Sequence, residues 1–316
     1  MSARLPLAMI LTVTPSPTID ISVEVDHLER DHKLPAQLST FQPGGGGVNV
    51  SRVLHRLGVA TTAIVAVGGT PGDVVTSRLV EAGVDVVPVA IAASTRWVEL
   101  LHERATGAEY RLVTSTPTLT TDEWRAIVAA VEARAVGADF IVLSGGIPPS
   151  LPADFVRELA RVSSVAGVPF VVDTSGPSLA AAVETRPHLV KPSRNELAAL
   201  MGVAPEELDH AAAARQLVER GAGTVVVSLG PEGAFVVSDG VAAHITTPPI
   251  DMVSTVGAGD TMLAGLLIGL TEGRSMLEAA RHGVAHGSAT CLTPGGEPAE
   301  AADIARLEAA QAVLVS

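Results

Sequence analysis

From about residue 47 onward, short β-branched runs alternate with stretches of helical period, and this rhythm restricts the chain more than any other feature. "VNVSRVLHRLG" (48–58) reads as a helix closed by Gly58, and "TTAIVAVG" (61–68) follows as a strand. Further strands are expected in "VDVVPVAI" (84–91), "ADFIVLSG" (138–145), "VPFVVDTS" (168–175), "PHLVKPS" (187–193) and "GTVVVSLG" (223–230). Helical periods lie between them, as in "TDEWRAIVAAVEARA" (121–135) and "DHAAAARQLVERG" (209–221). Strands separated by amphipathic helices imply an α/β protein with a parallel, doubly wound sheet that binds ligands at the carboxyl ends of its strands. Composition agrees: 47% of the 316 residues are hydrophobic but only 3% are aromatic, so Ala, Val and Leu must build the core. Such a length suits one large or two unequal domains.

Two stretches break the rhythm. Residues 21–43 and 94–115 alternate polar and apolar residues with no helix between, and the second contains a hairpin turn at "ATGAE". They are expected to form one small discontinuous β lid over a core made of 1–20, 44–93 and 116–316.

A net charge of −13 argues against nucleic acid as a partner and disfavours anionic membranes. Cys291 is the single cysteine, so no internal disulfide is available and a reducing cytoplasm fits. "LPLAMILTV" near the start is preceded by one arginine and has no small-x-small cleavage site, so a buried first strand is expected there. No segment approaches the roughly 18 uninterrupted apolar residues of a membrane span.

The chemistry is concentrated in "STVGAGDTMLAGLLIGL" (254–270), where three small residues and then Asp260 stand at the expected start of a buried helix. Open amides at such a terminus attract anions. An acid beside them makes sense if the bound phosphoryl group is to be attacked, because the attacking hydroxyl must lose a proton. On that reading Gly257, Ala258 and Gly259 cradle the phosphate and Asp260 is the base. Close helix packing, with Asp260 as a favourable first-turn charge, explains the same residues structurally.

At this point the chain resembles the ribokinase-like sugar kinases, the phosphofructokinase B family, whose late signature is a Gly-Ala-Gly-Asp at this kind of helix start. "SPTID" (16–20), "PGGGGVNVSRVLHRLG" (43–58), Thr95–Arg96, Tyr110–Arg111, "LSGGIPPS" (143–150), "VKPSRNE" (190–196) and "VVSLGPEGA" (226–234) match in order. The nearest branch is the minor-isozyme type of 6-phosphofructokinase. In 1-phosphofructokinases and tagatose-6-phosphate kinases the glycine-rich signature commonly carries a lysine where this chain has Gly46. Those kinases, and more distantly kinases of unphosphorylated sugars or nucleosides, are the alternatives.

The resemblance implies a three-layer α/β/α fold with a mostly parallel sheet, ATP and magnesium as cofactors with potassium as a further candidate, and a homodimer joined through the lid. It implies that Gly45, Gly46, Asn49 and Ser144 contact the sugar, that Asp20 accepts from its hydroxyls, and that Lys33 and Arg96 bind its phosphate. Lys191, Ser193, Ser228, Gly230, Gly233 and Ser288 fall on nucleotide positions, and Glu196 on the residue that organises the waters of magnesium. Lys33 and Lys191 are the only lysines in an arginine-biased chain, and both fall in motif positions.

Competing structural readings stand beside these. Ser193 replaces the usual family Asn, and with Glu196 it also satisfies a helix capping box. Lys33 fits a solvated edge-strand charge. His282 and His286 lack the H-E-x-x-H glutamate and read as packing or surface histidines. "VGGTPGDVV" lacks the G-x-G-x-x-G spacing, and no lysine follows a glycine, so neither a dinucleotide fingerprint nor a P-loop is present.

Overall fold

The computed structural model describes residues 9–238, 240–293 and 299–315. Its strands are β1 (Met9–Thr14), β2 (Thr18–Val25), β3 (Gln37–Gly44), β4 (Ala60–Val67), β5 (Asp85–Ala90), β6 (Arg96–Glu103) and β7 (Ala108–Val113) in the first part of the chain. There follow β8 (Phe140–Ser144), β9 (Phe170–Asp173), β10 (Leu189–Val190), β11 (Thr224–Ser228), β12 (Ala234–Ser238), β13 (Val241–Ile245) and β14 (Val313–Val315). The helices are α1 (Gly46–Arg56), α2 (Gly69–Glu81), α3 (Thr121–Ala135), α4 (Ala153–Ala166), α5 (Gly176–Glu184), α6 (Arg194–Met201), α7 (His210–Glu219), α8 (Ala258–Thr271), α9 (Met276–Thr290) and α10 (Ala301–Ala310). The expected first strand is β1; the part of that stretch before Met9 lies outside the described residues.

Ten strands form the main sheet in the order β14-β13-β12-β11-β10-β9-β8-β1-β4-β5. From β5 to β11 every pairing is parallel, as the alternation requires. The far end is antiparallel, a feature the periodicity did not announce. Its cause is local: the turn through Gly230–Glu232 connects β11 to β12, and so short a link can only double the chain back. Helices cover both faces. Leu11 and Val13 of β1 join Trp124, Phe155, Leu179 and Leu217 on one side, while Ile10 joins Val50, Leu54, Leu263 and Val284 on the other. This is the three-layer arrangement.

Helix α8 is apolar over most of its length and lies against α9 at backbone contact. A Cβ at Gly283 would stand 2.6 Å from Met262 O, and one at Gly287 2.9 Å from Ala258 O, so glycine is required at this crossing. Helix α8 is thereby held against α9.

The second sheet has the order β3-β2-β6-β7, with β2 and β6 parallel and the outer pairs antiparallel. The β6–β7 hairpin turns at Gly107 in a left-handed conformation, φ 70°. Strand β2 begins at Thr18, so Asp20 belongs to this small sheet and not to the end of a core strand. Ile19 anchors it, buried with Val48, Ala63 and Val67 of the main body.

Candidate active site

The order of the main sheet reverses between β1 and β8: the chain first builds outward through β4 and β5, then returns to β1's other side. A crevice opens at the carboxyl ends of strands where such a reversal occurs. Thr14 and Ser144 end these two strands, and the Gly44–Gly47 loop crosses above them.

The glycines there answer to close contacts. A Cβ at Gly44 would collide with Asp20 Oδ2, and one at Gly46 with Ser144 Oγ and, at 2.6 Å, with Gly145 N. Gly45 takes φ 105° and starts α1 without a side-chain cap. Thr18 Oγ1 donates to Asp20 Oδ1 at 2.6 Å. Burial raises the Asp20 pKa, against the opposing pull of Thr18, Arg111, Arg52 and Arg96. Arg52, which the motif reading did not single out, ties the loop down by donating to Pro43 O at 3.0 Å and Gln42 Oε1 at 2.8 Å. Arg96 Nε, Thr14 Oγ1 and Ser16 Oγ are buried without a hydrogen-bond partner.

Beside this loop lies a cavity of about 270 Å³, at the small end of ligand sites. Gly145, Asp173, Lys191, Ser193, Glu196, Ser228, Gly259 and Asp260 are among the residues that line it. Lys191 is 4% exposed, and its Nζ meets Asp173 Oδ1 at 3.0 Å. Burial works against the Lys191 charge, but Asp173, Asp260 and Glu196 outweigh it and the pKa is raised, so the ammonium is held. Asp173 is the chief residue the sequence reading missed. Its one signal was an acid at the carboxyl end of "FVVD", which strand ends carry for many reasons.

Asp260 stands in the first turn of α8, and Gly257 at its N-cap (φ 76°) offers no side chain to close the terminus. Ala258 N already leans on Thr255 O at 3.3 Å, so that amide is less free than the motif suggested. Asn49 Nδ2 donates to Asp260 Oδ2 at 2.8 Å, which joins the helix after the glycine run to the carboxylate. Burial, then the negative charge of Asp173, raises the Asp260 pKa to about 7, while Asn49 and Lys191 pull it down and Asp20 adds to the rise. A carboxylate poised near neutrality suits proton abstraction.

The remaining candidates divide. Ser193 and Glu196 form the capping box of α6, with Glu196 Oε2 accepting from Ser193 N at 2.8 Å and Ser193 Oγ at 2.9 Å, yet both also line the cavity. Among the described residues no group of three or more His, Cys, Asp or Glu is arranged to hold a metal. Ser228, at the end of β11, is joined by an isolated bridge to Ser193 and lines the cavity. Gly230 (φ 62°) and Gly233 (φ 92°) have structural reasons of their own, because a Cβ at Gly233 would collide with Ile245 O. Ser288 lies on α9, 3.5 Å from Thr247 Oγ1, and is not among the cavity-lining residues. Lys33 is exposed in the connection at the far end of the β2–β3 hairpin from Asp20, so a single chain does not bring it to the cleft.

Comparison with known proteins accords with this geometry. Residues 14–302 match the pfkB family of carbohydrate kinases. The chain is 36% identical over 302 residues to ATP-dependent 6-phosphofructokinase isozyme 2 of Mycobacterium tuberculosis, covering 94% of this chain and 88% of the relative. It is 33% identical over 286 residues to 1-phosphofructokinase of Bacillus subtilis, covering 90% and 93%. The crystal structure of Escherichia coli phosphofructokinase-2 in complex with potassium superimposes with a TM-score of 0.88 at 34% identity, over 96% of this chain and 98% of that one. A tetrameric inhibited form of that Escherichia coli enzyme superimposes with a TM-score of 0.86.

Proposed function

Because the chain belongs to the pfkB family of carbohydrate kinases and is a sugar-phosphate kinase, a phosphotransferase, we propose that it transfers the γ-phosphate of ATP to the carbon-1 hydroxyl of fructose 6-phosphate. The product is fructose 1,6-bisphosphate. The observation that carries this reading is the Asp260 carboxylate, near neutrality and hydrogen-bonded to Asn49, at the uncapped start of α8 beside Lys191.

In the reaction Asp260 takes the proton of the attacking hydroxyl, and the open amides at the start of α8 neutralise charge on the transferred group. Lys191 draws the phosphate chain into the cavity, held charged by Asp173. Asp20 and the Gly44–Gly47 loop fix the sugar, and Arg96 takes its phosphate. Glu196 is the carboxylate placed to meet magnesium, which when bound neutralises charge on the nucleotide phosphates. The small sheet acts as a lid that excludes water, since an open site would hydrolyse ATP. Activation by potassium is part of the same proposal.

Gly46 supports fructose 6-phosphate over fructose 1-phosphate and tagatose 6-phosphate, because the kinases of those two sugars commonly carry a lysine at this place in the glycine-rich signature. Two copies pair through the lid, whose Phe41, Trp97, Tyr110, Leu112 and Val113 are exposed. On this proposal Lys33 binds the sugar phosphate of the other copy. A cytoplasmic location fits such substrates, and among the described residues no helix is long and apolar enough to cross a membrane.

The test is ADP release measured with fructose 6-phosphate, fructose 1-phosphate, tagatose 6-phosphate, ribose and adenosine side by side. The highest kcat/KM is expected for fructose 6-phosphate; a higher value for any of the others reassigns the substrate.

A further inference from the structure

The reacting carboxylate is gripped by a residue from the opposite half of the site. Asn49 lies in the first turn of α1, its own N–H bonded to Gly45 O at 2.9 Å, so its backbone is part of the sugar loop. Its side chain reaches across to Asp260 Oδ2 at 2.8 Å, between residues 211 positions apart in sequence. Among the described residues this is the one hydrogen bond made by the Asp260 carboxylate.

The geometry has two consequences. A donor on Oδ2 stops rotation of the carboxylate and leaves Oδ1 to receive the hydroxyl proton. A donor also favours the ionised form, the only form that can act as a base. The surroundings otherwise press the other way. Asp173 from β9 and Asp20 from β2 bring like charge, and Lys191 at the end of β10 is the cation in opposition, already engaged with Asp173.

We propose that Asn49 is a positioning residue for phosphoryl transfer, which aims the Asp260 carboxylate and couples it to the sugar loop, beyond any contact Asn49 makes with the sugar. The proposal rests on the reading of Asp260 as the base.

It is tested by measuring kcat and KM for fructose 6-phosphate against pH in the full-length protein, in Asn49→Ala and in the isosteric Asn49→Asp. For Asn49→Ala, kcat at pH 7 is expected to fall about ten- to a hundredfold, the scale of one lost hydrogen bond to a charged group. The acidic limb of the kcat profile should move to higher pH, and Asn49→Asp should move it further by adding like charge. A raised KM with kcat and the acidic limb unchanged would reduce Asn49 to a sugar contact and overturn the proposal. A lower kcat with the limb unmoved would overturn it equally.

A second measurement does not depend on activity. The pH dependence of unfolding is compared between Asn49→Ala and Asn49→Ala/Asp260→Asn, and the part that vanishes with Asp260 should lie at higher pH than in the corresponding pair with Asn49 intact. Failure of the base reading itself shows separately, as near-normal turnover in Asp260→Asn.

Discussion

Two partly buried titratable clusters lie along the α8–α9 pair, and they differ in what their partners leave open. In the cleft, Asp260 has one hydrogen bond, an uncapped helix start beside it and a cavity in front. Deeper along α9, His286 is 5% exposed against Gly265, its Nε2 3.1 Å from His282 Nε2, while His282 Nδ1 meets Glu308 Oε2 at 2.8 Å. Arg274 holds the other Glu308 oxygen at 2.9 Å, and Arg281 donates to the Glu308 carbonyl at 3.1 Å, which fastens α10 to α9. Burial shifts both groups toward neutrality, Asp260 up to about 7 and His286 down to about 4, with His282 adding to the latter. A perturbed pKa therefore does not by itself mark a reactive site. The cleft's groups line a cavity, whereas the histidine network has turned its charged groups on one another.

The largest effect that would separate the two regions is on turnover. Asp260→Asn is expected to lower kcat by about two to four powers of ten, the range for a lost general base, with little change in the KM for ATP. Near-normal turnover would place the cleft in the same structural class as the histidines. Next in size, Lys33→Ala is expected to raise the KM for the sugar phosphate roughly tenfold, the scale of one charged hydrogen bond, and an effect confined to ATP would show that the lid lysine serves the other pocket.

The two clusters should also tilt stability in opposite directions. Asp260 keeps a proton in the folded protein up to about pH 7 that the unfolded chain releases near 3.8, so its contribution is lost as pH rises between those values. His286 resists a proton down to about pH 4 that the unfolded chain takes up near 6.5, so its contribution is lost as pH falls through that window. Urea unfolding from pH 4 to 8 should show the first slope removed by Asp260→Asn and the second by His286→Asn, each on the order of 3–4 kcal/mol. The smallest effect expected is on catalysis by His286→Asn: kcat within about twofold of the parent at pH 7.5, because substitutions away from the reacting atoms act on stability. A tenfold loss would make the histidine network part of the working site.

Much of the framework could be read along the chain. The strands that became β4, β5, β8, β9 and β11 are short β-branched runs, and α3 and α6 begin at capping boxes whose Thr120–Glu123 and Ser193–Glu196 pairs are both formed. Less could be read where periodicity fails. Helix α8 is buried nearly all round and so shows no polar face to mark its orientation, and the antiparallel pairing of β12 follows from the short Gly230–Glu232 turn and not from any hydrophobic period. At the site, Asp260, Asn49 and Lys191 each drew attention through a local motif, whereas Asp173 had no motif around it and became visible only as the partner of Lys191.

By itself the sequence determined the layered α/β architecture and the small-residue helix start that carries an acid, because both are written in patterns a few residues long. Only the tertiary structure decided that the acid meets Asn49, that the lysine is shared with Asp173, and that Lys33 lies at the far end of the β2–β3 hairpin from Asp20. These meetings are settled by the order in which strands join the sheet, and that order comes from the burial of whole faces against one another, which no short stretch of chain encodes.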